Sequence, residues 1–152
     1  MTVARDGDGL RVDHGASDAE ALSLGVAGLT PGNGHPYSFS AIVNGYSDAG
    51  FADSEWGVIG DYLREKSPAE FGFDGVRVTH AWTQDREETE RLAAAARVPN
   101  VVDSLDALRD SVDGLLLLRD DFERHAEMAL PVLEAGVPVF VDKPLALDAD
   151  DL

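Results

Sequence analysis

The feature that most constrains the fold is an alternation between residues 75 and 141, where short apolar runs are separated by segments with helical periodicity. Residues 75–82 alternate and are rich in β-branched side chains, and residues 114–118 contain no polar side chain, so both segments predict strands. Residues 85–97 and 121–135 predict helices. The remaining elements predicted in this region are strands at 100–102 and 137–141 and a helix at 104–112. Strands that alternate with helices predict an α/β fold, a doubly wound parallel sheet covered on both faces.

The first half of the chain is less regular. The apolar run 22–29 predicts a first strand, residues 30–34 a turn and residues 38–46 a helix. Residues 47–74 contain several aromatic side chains, which favours an ordered insertion that includes a short helix at 56–65. Residues 1–21 are acidic and lack a long apolar run, so we expect a loose leader that is neither a signal peptide nor a membrane span.

The composition limits the classes of site that the chain can hold. A length of 152 residues with 44% apolar residues suits one globular domain. The absence of cysteine excludes disulfides and thiolate metal sites and fits a reducing, cytoplasmic compartment. No paired histidines occur at metal-ligand spacing, so we predict no metal site.

The net charge of −17 is the most unusual bulk property, with 12 Lys and Arg residues against 29 Asp and Glu residues. A surface this negative repels phosphate backbones and anionic lipids, so we predict neither nucleic acid nor a membrane as a partner. Only Lys66 and Lys143 are lysines. This pattern is typical of proteins adapted to concentrated salt, and codon usage in a high-GC genome explains it equally well.

Parallel doubly wound sheets bind ligands outside the carboxyl ends of their strands, where the strand order switches. The loops expected at that edge are residues 30–36, 83–85, 119–121 and 142–144. Functional residues are therefore expected in these loops.

The last two of these loops carry a pattern of known type. Asp121 precedes His125 by four positions, an Ala-Gly pair at 135–136 ends the predicted helix, and the next strand finishes in Asp142-Lys143-Pro144. This pattern resembles the glucose–fructose oxidoreductase and inositol dehydrogenase family (Gfo/Idh/MocA), in which the tripeptide is Glu-Lys-Pro. The resemblance covers residues 22–147 in the order of elements and is specific from about residue 112 onward.

The resemblance implies a Rossmann-like domain over residues 22–147 that binds NAD or NADP. It also implies that residues 148–152 begin a crossover to a second domain, which in the family supplies a catalytic Asp and His, most of the substrate pocket and usually the oligomer interface. The implied substrate is a sugar, a polyol or a related small hydroxy compound, and the intact protein is expected to form a homo-oligomer. We expect this chain alone to be inactive.

The family usually carries Gly-x-Gly-x-x-Gly after the first strand, because the glycines let the backbone approach a pyrophosphate. Here Gly28 matches the first glycine, whereas Gly32 and Gly34 lie in a longer loop. One interpretation is a lengthened phosphate loop with added polar groups, namely Thr30, Asn33, His35 and Ser38. The other is a plain turn between strand and helix, and both interpretations stay open.

Other cofactor contacts follow from the resemblance. Thr83 and Arg86 lie where the adenosine ribose is expected and slightly favour NADP, whereas Asp85 is expected to cap the next helix. Arg119 is expected to contact the cofactor and to offset the carboxylates of Asp120 and Asp121. Either Asp120 or Asp121 is expected to cap a helix.

The catalytic candidates are Lys143 and His125. The family's lysine lies between nicotinamide and substrate, so Lys143 is expected to stabilise developing oxyanion charge. His125 is expected to reach the nicotinamide side of the cleft. Asp142 and Pro144 flank the lysine and are counted with the cofactor site.

The sequence thus predicts the nucleotide-binding domain of an NAD(P)-dependent oxidoreductase. A second hypothesis is a non-catalytic binding or regulatory module with the same fold that no longer holds a dinucleotide. A flavodoxin-like signalling domain is a third, against which the Asp-Lys-Pro tripeptide argues.

Overall fold

A computed structural model describes residues 1–14 and 21–147 of the chain. The strands in these ranges are β1 (Thr2–Asp6), β2 (Gly9–Asp13), β3 (Leu22–Ala27), β4 (Gly45–Ser47), β5 (Val76–Trp82), β6 (Asn100–Val101), β7 (Gly114–Leu117) and β8 (Val139–Val141). The α-helices are α1 (His35–Asn44), α2 (Asp48–Ala52), α3 (Gly57–Arg64), α4 (Arg86–Ala95), α5 (Leu105–Arg109) and α6 (His125–Glu134). Short 3₁₀ turns span Pro68–Glu70 and Phe122–Arg124.

The central sheet confirms the doubly wound α/β prediction. Its five strands are all parallel, in the order β6-β5-β3-β7-β8. Helices α1 and α4 pack on one face, in the same apolar cluster as Val26 and Val78. Helices α5 and α6 pack on the other face, around Leu115 and Leu117. The order of the chain reverses beside β3, so the carboxyl ends of β3 and β7 form the switch point at which such sheets bind ligands.

The expectation of a loose leader is wrong for residues 2–13. They form an antiparallel hairpin, β1 with β2, and β2 pairs in turn with β4. Leu10 and Val12 alternate with exposed residues along β2, and both are buried. Within β2 only Leu10 and Val12 follow this period-2 pattern. The sequence signal for a strand was therefore weak beside the acidic composition of the segment. Residues 15–20 of the predicted leader and the predicted crossover at 148–152 lie outside the described residues.

The Arg97 side chain fastens this small sheet to the rest of the molecule. Its Nε donates to the carbonyl oxygens of Leu10 (3.0 Å) and Tyr46 (2.9 Å), and its Nη2 donates to the carbonyl oxygen of Asp8 at 2.7 Å. Arg97 is only 14% exposed at its side chain. One guanidinium therefore supplies the donors that the backbone at the edge of the hairpin needs.

The insertion after α1 is ordered, as predicted. The predicted helix at 56–65 is α3, and α2 precedes it. Phe51, Leu63 and Phe71 from this segment are buried in the same cluster as the β2 hairpin and α1. The insertion thus packs as part of the domain core, over the face that α1 covers.

Strand β5 is held by a side chain where a neighbouring strand is missing. Strand β6 pairs with His80 and Ala81, and among residues 1–14 and 21–147 no strand pairs with the backbone of Val78 on that side. Asn44, at the end of α1, replaces it: its Nδ2 donates to the Val78 oxygen at 2.7 Å and its Oδ1 accepts from the Val78 nitrogen at 3.0 Å. This contact sets the end of α1 against the sheet.

Two predicted helices have different limits in the structure. The helix predicted at 38–46 starts earlier, at His35, because Pro36 suits a first helical turn. The segment predicted at 121–135 opens with a 3₁₀ turn, so His125 is the first residue of α6. In the described ranges no helix combines the length and the apolar character that crossing a membrane needs.

Candidate nucleotide-binding edge

One buried carboxylate joins two of the loops at the carboxyl edge of the sheet. Asp142, directly after β8, is 4% exposed. Its Oδ2 accepts from Asn33 Nδ2 at 3.1 Å and lies 2.6 Å from His35 Nδ1. Its Oδ1 accepts from the backbone nitrogen of Lys143 at 2.8 Å. The loop after β3 and the loop that carries Lys143 are therefore fixed to each other.

These contacts keep Asp142 ionised. Burial by itself would raise the pKa of this carboxyl, but hydrogen bonds from His35, Asn33 and the Lys143 backbone outweigh it and hold the pKa below its usual range. A carboxylate next to an imidazole also fixes the proton of that ring on Nδ1. The Nε2 atom of His35 is then the nitrogen that faces away from Asp142.

Gly28 and Arg119 meet at the switch point. Gly28 has φ +80°, its nitrogen donates to the Trp82 oxygen at 2.8 Å, and a Cβ there would lie 2.4 Å from Arg119 Cγ. The Arg119 guanidinium binds the Asp121 carboxylate, with 2.7 Å from Nε to Oδ1. The predicted offset of charge by Arg119 is present, and the arginine stem covers the position of the first glycine.

The prediction that the side chain of Asp120 or Asp121 caps a helix is wrong, although Asp121 stands at the N-cap position of the 3₁₀ turn. The Asp121 carboxylate makes no capping hydrogen bond because it is held by Arg119. Asp120 instead accepts a hydrogen bond from the Thr30 hydroxyl, which ties the loop after β7 to the loop after β3. The carboxylates of Asp120 and Asp121 and the guanidinium of Arg119 therefore all lie at this edge of the sheet.

The amino end of α1 offers fewer backbone donors than a typical phosphate loop. The His35 nitrogen already donates to Asn33 Oδ1 at 3.0 Å, and Pro36 has no N–H. Gly34 precedes the helix and packs so tightly that a Cβ would lie 2.3 Å from Ile59. Ser38 uses its hydroxyl on the His35 oxygen at 3.4 Å. Gly32 has φ +84° and open space beside it, which leaves room for a ligand.

A cavity of about 300 Å³ lies between this loop and the end of β5. Its wall combines apolar and acidic side chains with the backbone of two loops: Leu29, Thr30, Pro31, Glu55, Trp56, Thr83, Gln84, Asp85 and Glu88. In doubly wound folds the adenosine ribose lies at the end of this strand, and carboxylates there accept hydrogen bonds from ribose hydroxyls. The cavity therefore fits the adenosine end of NAD.

The two residues behind the slight preference for NADP both have local partners in the structure. The Thr83 hydroxyl is turned to local partners, donating to the Asp85 oxygen at 2.7 Å and meeting the Thr89 hydroxyl at 2.8 Å. Arg86 is paired with Glu90 at 2.7 Å and with Asp103. Both side chains are therefore engaged by neighbouring residues of the same chain. Asp85 caps α4, as predicted, by accepting from the nitrogens of Glu87 and Glu88.

His125 does not have the free ring nitrogen that a catalytic role requires. The ring is 2% exposed, with Nε2 at 2.8 Å from the Arg119 oxygen and Nδ1 at 3.2 Å from the Leu145 oxygen. Both nitrogens face backbone carbonyls, because His125 starts α6 directly beneath the loop after β7. The catalytic assignment is replaced by a structural one.

Lys143 reaches the edge in the predicted position. It follows Asp142, its side chain is exposed, and in residues 1–14 and 21–147 its ammonium has no hydrogen-bond or ion-pair partner. Pro144 follows through a cis peptide bond. Lys143 is therefore a cation that remains available to a ligand at an otherwise acidic edge.

The sequence analysis did not identify three of the side chains that line the cavity. Trp56 and Glu55 come from the insertion, and Gln84 joins the loops by donating to the Leu29 oxygen at 2.7 Å. The aromatic content of the insertion was a signal, but its position over the end of β5 is set by packing against α1. Among the described residues, no group of three His, Cys, Asp or Glu side chains is placed to hold a metal ion.

Comparisons with known proteins agree with this geometry. The family described as GFO_IDH_MocA, oxidoreductases with an NAD-binding Rossmann fold, matches residues 55–152. That match starts after the glycine loop, which is the segment that departs most from the usual fingerprint. A comparison with curated proteins finds no match.

Solved structures share the fold at low sequence identity. UDP-N-acetylglucosamine 3-dehydrogenase from Acidithiobacillus ferrooxidans is 20% identical, with a TM-score of 0.55 over 86% of this chain and 32% of its own. Myo-inositol 2-dehydrogenase from Lactobacillus plantarum is also 20% identical, with a TM-score of 0.55 over 86% of this chain and 30% of its own.

A third structure, scyllo-inositol dehydrogenase from Lactobacillus casei with bound NAD(H) and scyllo-inositol, is 16% identical, with a TM-score of 0.53 over 86% of this chain and 30% of its own. This chain therefore spans about a third of the length of the structures it matches. With the doubly wound sheet and the family match over residues 55–152, the chain belongs to the Gfo/Idh/MocA oxidoreductase family and carries its NAD-binding Rossmann fold.

Proposed function

We propose that this chain is the nucleotide-binding part of an NAD(P)-dependent oxidoreductase that acts on a sugar, a polyol or a related hydroxy compound. The observation that carries the proposal is that the cavity beside Thr30 and Asp85 lies at the same sheet edge as Lys143. One edge thus offers both a place for the adenosine end of a dinucleotide and a cation for the reacting end.

Each residue has a distinct part in this proposal. Asp85 and Glu88 accept hydrogen bonds from the ribose hydroxyls, and Trp56 covers the apolar side of the cavity. Gly32, with a positive φ and open space beside it, allows the loop to pass close to the phosphates. Asp142 holds the loop after β3 against the loop that carries Lys143.

The bound dinucleotide supplies the carbon that accepts or donates a hydride. Lys143 places an ammonium beside the substrate oxygen, where a positive charge stabilises the negative charge that develops during reaction. Asp142 orients this lysine through its backbone nitrogen and does not compete for the ammonium in the structure. Lys143 is therefore the proposed catalytic group of this chain.

The proposed substrate class follows from the proteins that share the fold. Their names state that they act on UDP-N-acetylglucosamine, myo-inositol and scyllo-inositol, which are all hydroxylated small molecules. We expect the chain alone to bind dinucleotide without turnover, since its described residues form only the cofactor side of a cleft. Holding the substrate against the nicotinamide supplies roughly 7–11 kcal/mol of barrier reduction, and an open edge cannot do so.

Calorimetry with NAD(H) and NADP(H) on the folded chain tests the first step. Micromolar to low-millimolar binding is the expected result, and no heat with either dinucleotide would contradict it. The lysine is tested in whichever length of the gene product shows turnover on sugars and polyols. Lys143→Met should lower kcat about a hundredfold while dinucleotide affinity stays within about twofold. Lys66→Met is the matched control, because Lys66 lies over the Tyr62 ring and away from this edge.

A non-catalytic binding module is the second candidate. It is favoured by one observation, the loss of backbone donors at the start of α1 through Asn33 and Pro36. The two candidates differ in the calorimetry: a module that has lost the cofactor gives no heat with any dinucleotide on protein that melts cooperatively.

A further inference from the structure

His35 is held so that one ring nitrogen is fixed and the other is open. Its Nδ1 lies 2.6 Å from Asp142 Oδ2, and the ring stacks on Phe39 with centroids 5.2 Å apart. The side chain is 34% exposed, and Nε2 has no hydrogen-bond partner among residues 1–14 and 21–147. Because the contact with Asp142 and the stacking on Phe39 fix the His35 ring, its Nε2 atom points in one direction.

The same loop lacks donors where the fold usually has them. The His35 nitrogen is capped by Asn33, Pro36 has no N–H, and the Ser38 nitrogen donates to the Gly34 oxygen at 3.0 Å. A diphosphate near this helix end would find few free backbone groups. It would also face Asp142, a carboxylate that an anion can approach only if a cation lies between them.

We propose that His35, held by Asp142, is the cationic side chain that binds the diphosphate of the dinucleotide, in place of the backbone donors that this loop lacks. The inference rests on the proposed function and names the group that holds the middle of the same ligand. In this arrangement Asp142 holds Nδ1–H, and the protonated ring donates from Nε2 to a phosphate oxygen. A charged donor to a phosphate is among the stronger hydrogen bonds in proteins.

The other charged groups around this edge are already engaged or lie further along the loops. Arg119 is bound to Asp121, and Asp120 accepts from Thr30. Lys143 follows Asp142 and carries the second free cation of the edge, next to the reacting end of the proposed ligand. Helix α1 contributes no acidic residue in its first turn and no basic residue in its last.

Because the protonated ring is the binding form, the affinity for a dinucleotide should depend on pH in a defined direction. Imidazole is the side chain whose charge changes between about pH 5 and 8, so binding should be tightest at the acidic end of that range and weaker at its alkaline end. Loss of one charged hydrogen bond corresponds to about a tenfold change in Kd. A ligand that fills only the cavity beside Thr30 and Asp85 should show no such change, since the described residues that line this cavity include no histidine.

The experiment is calorimetric titration between pH 5.5 and pH 8.5 with three probes: NAD⁺, ADP-ribose, which keeps the diphosphate, and adenosine, which lacks it. The expected result is an affinity for NAD⁺ and ADP-ribose that falls about tenfold across the range, with a flat profile for adenosine. In His35→Gln, which keeps a hydrogen bond to Asp142 without a charge, both diphosphate profiles should be flat and weak. His80→Gln removes a histidine within strand β5 and should leave the profiles unchanged.

The outcomes separate this inference from the proposed function. If folded wild-type protein binds NAD⁺ with a flat pH profile, or if His35→Gln keeps the wild-type slope, the role of His35 is overturned and the proposed function stands. If no dinucleotide binds at any pH while the protein melts cooperatively, both are overturned.

Discussion

The stem of Arg119 lies directly over Gly28, so that a Cβ at Gly28 would come within 2.4 Å of Arg119 Cγ and Cδ. The two residues follow adjacent parallel strands, β3 and β7, and meet at the point where the order of the sheet reverses. Glycine is therefore required at position 28 for two reasons. Its φ of +80° disfavours other residues, and the Arg119 side chain leaves no room for a Cβ. This relationship gives the first test of the edge.

Gly28→Ala should destabilise the protein by about 2–3 kcal/mol, because the new methyl group requires a disfavoured backbone and displaces a buried arginine. Gly32→Ala is the matched control: its φ is also positive, at +84°, but no atom lies near its Cβ, so about 1 kcal/mol is expected. Urea unfolding measures both. Equal losses in the two variants would show that Arg119 does not constrain Gly28.

The Asn44 contact with Val78 predicts a large loss on truncation. Asn44→Ala leaves a buried N–H and a buried C=O of β5 without partners and should lower the free energy of unfolding by about 2–4 kcal/mol. Asn100→Ala is the control, because its Nδ2 donates to the Thr79 oxygen from an exposed position. Chemical denaturation should show at most about 1 kcal/mol for that variant. A loss of similar size in both would contradict the role of Asn44.

The acidic cavity predicts a preference for NAD over NADP. Glu55, Asp85 and Glu88 line it, and a 2′-phosphate placed among carboxylates is repelled. We expect NAD⁺ to bind at least about tenfold more tightly than NADP⁺ in calorimetry. Glu88→Gln should reduce this ratio, whereas Glu87→Gln, which also pairs with Arg91 but does not line the cavity, should leave it unchanged. Tighter binding of NADP⁺ would restore the role first expected of Arg86.

The lowered pKa of Asp142 predicts how the Asp142→Asn variant behaves with pH. A carboxyl whose pKa is depressed by folding stabilises the folded state above its unfolded value of 3.8, and that stabilisation is lost as pH falls through the folded value. The variant should therefore be less stable than wild type at pH 7, and the difference should shrink below about pH 4. Thermal melts across pH measure this. A difference that is constant with pH would mean that the charge of Asp142 contributes nothing.

The net charge of −17 predicts that added salt stabilises the fold. Self-repulsion is screened as the Debye length falls from about 10 Å at 0.1 M to about 3 Å at 1 M. Surface ion pairs such as Arg86–Glu90 are weakened by the same salt, but each contributes little. The melting temperature should rise with potassium chloride concentration. A flat or falling curve would favour codon usage as the origin of the acidic composition.

The sequence by itself determined the architecture from residue 75 onward. Apolar runs such as 114–118 and the helical spacing of 85–97 are local patterns. They can therefore be recognised without knowing which segments pack against them. Asp85 as a helix cap and Lys143 after a strand were likewise predictable, because each depends on residues within one turn of itself. The family resemblance rested on the same local pattern.

The tertiary structure decided what each polar group at the edge is free to do. His35 and Asp142 are separated by 107 positions and share one hydrogen bond. His125 lost its predicted role because the carbonyl oxygens of Arg119 and Leu145, 6 and 20 positions away, lie against its two ring nitrogens. The β2 hairpin was missed for the same reason: Leu10 pairs with Tyr46 of β4 and is buried in a cluster built from distant segments. Composition and spacing fix which groups a segment contains, but burial and hydrogen-bond partners come from segments far along the chain, and these determine which groups remain available to a ligand.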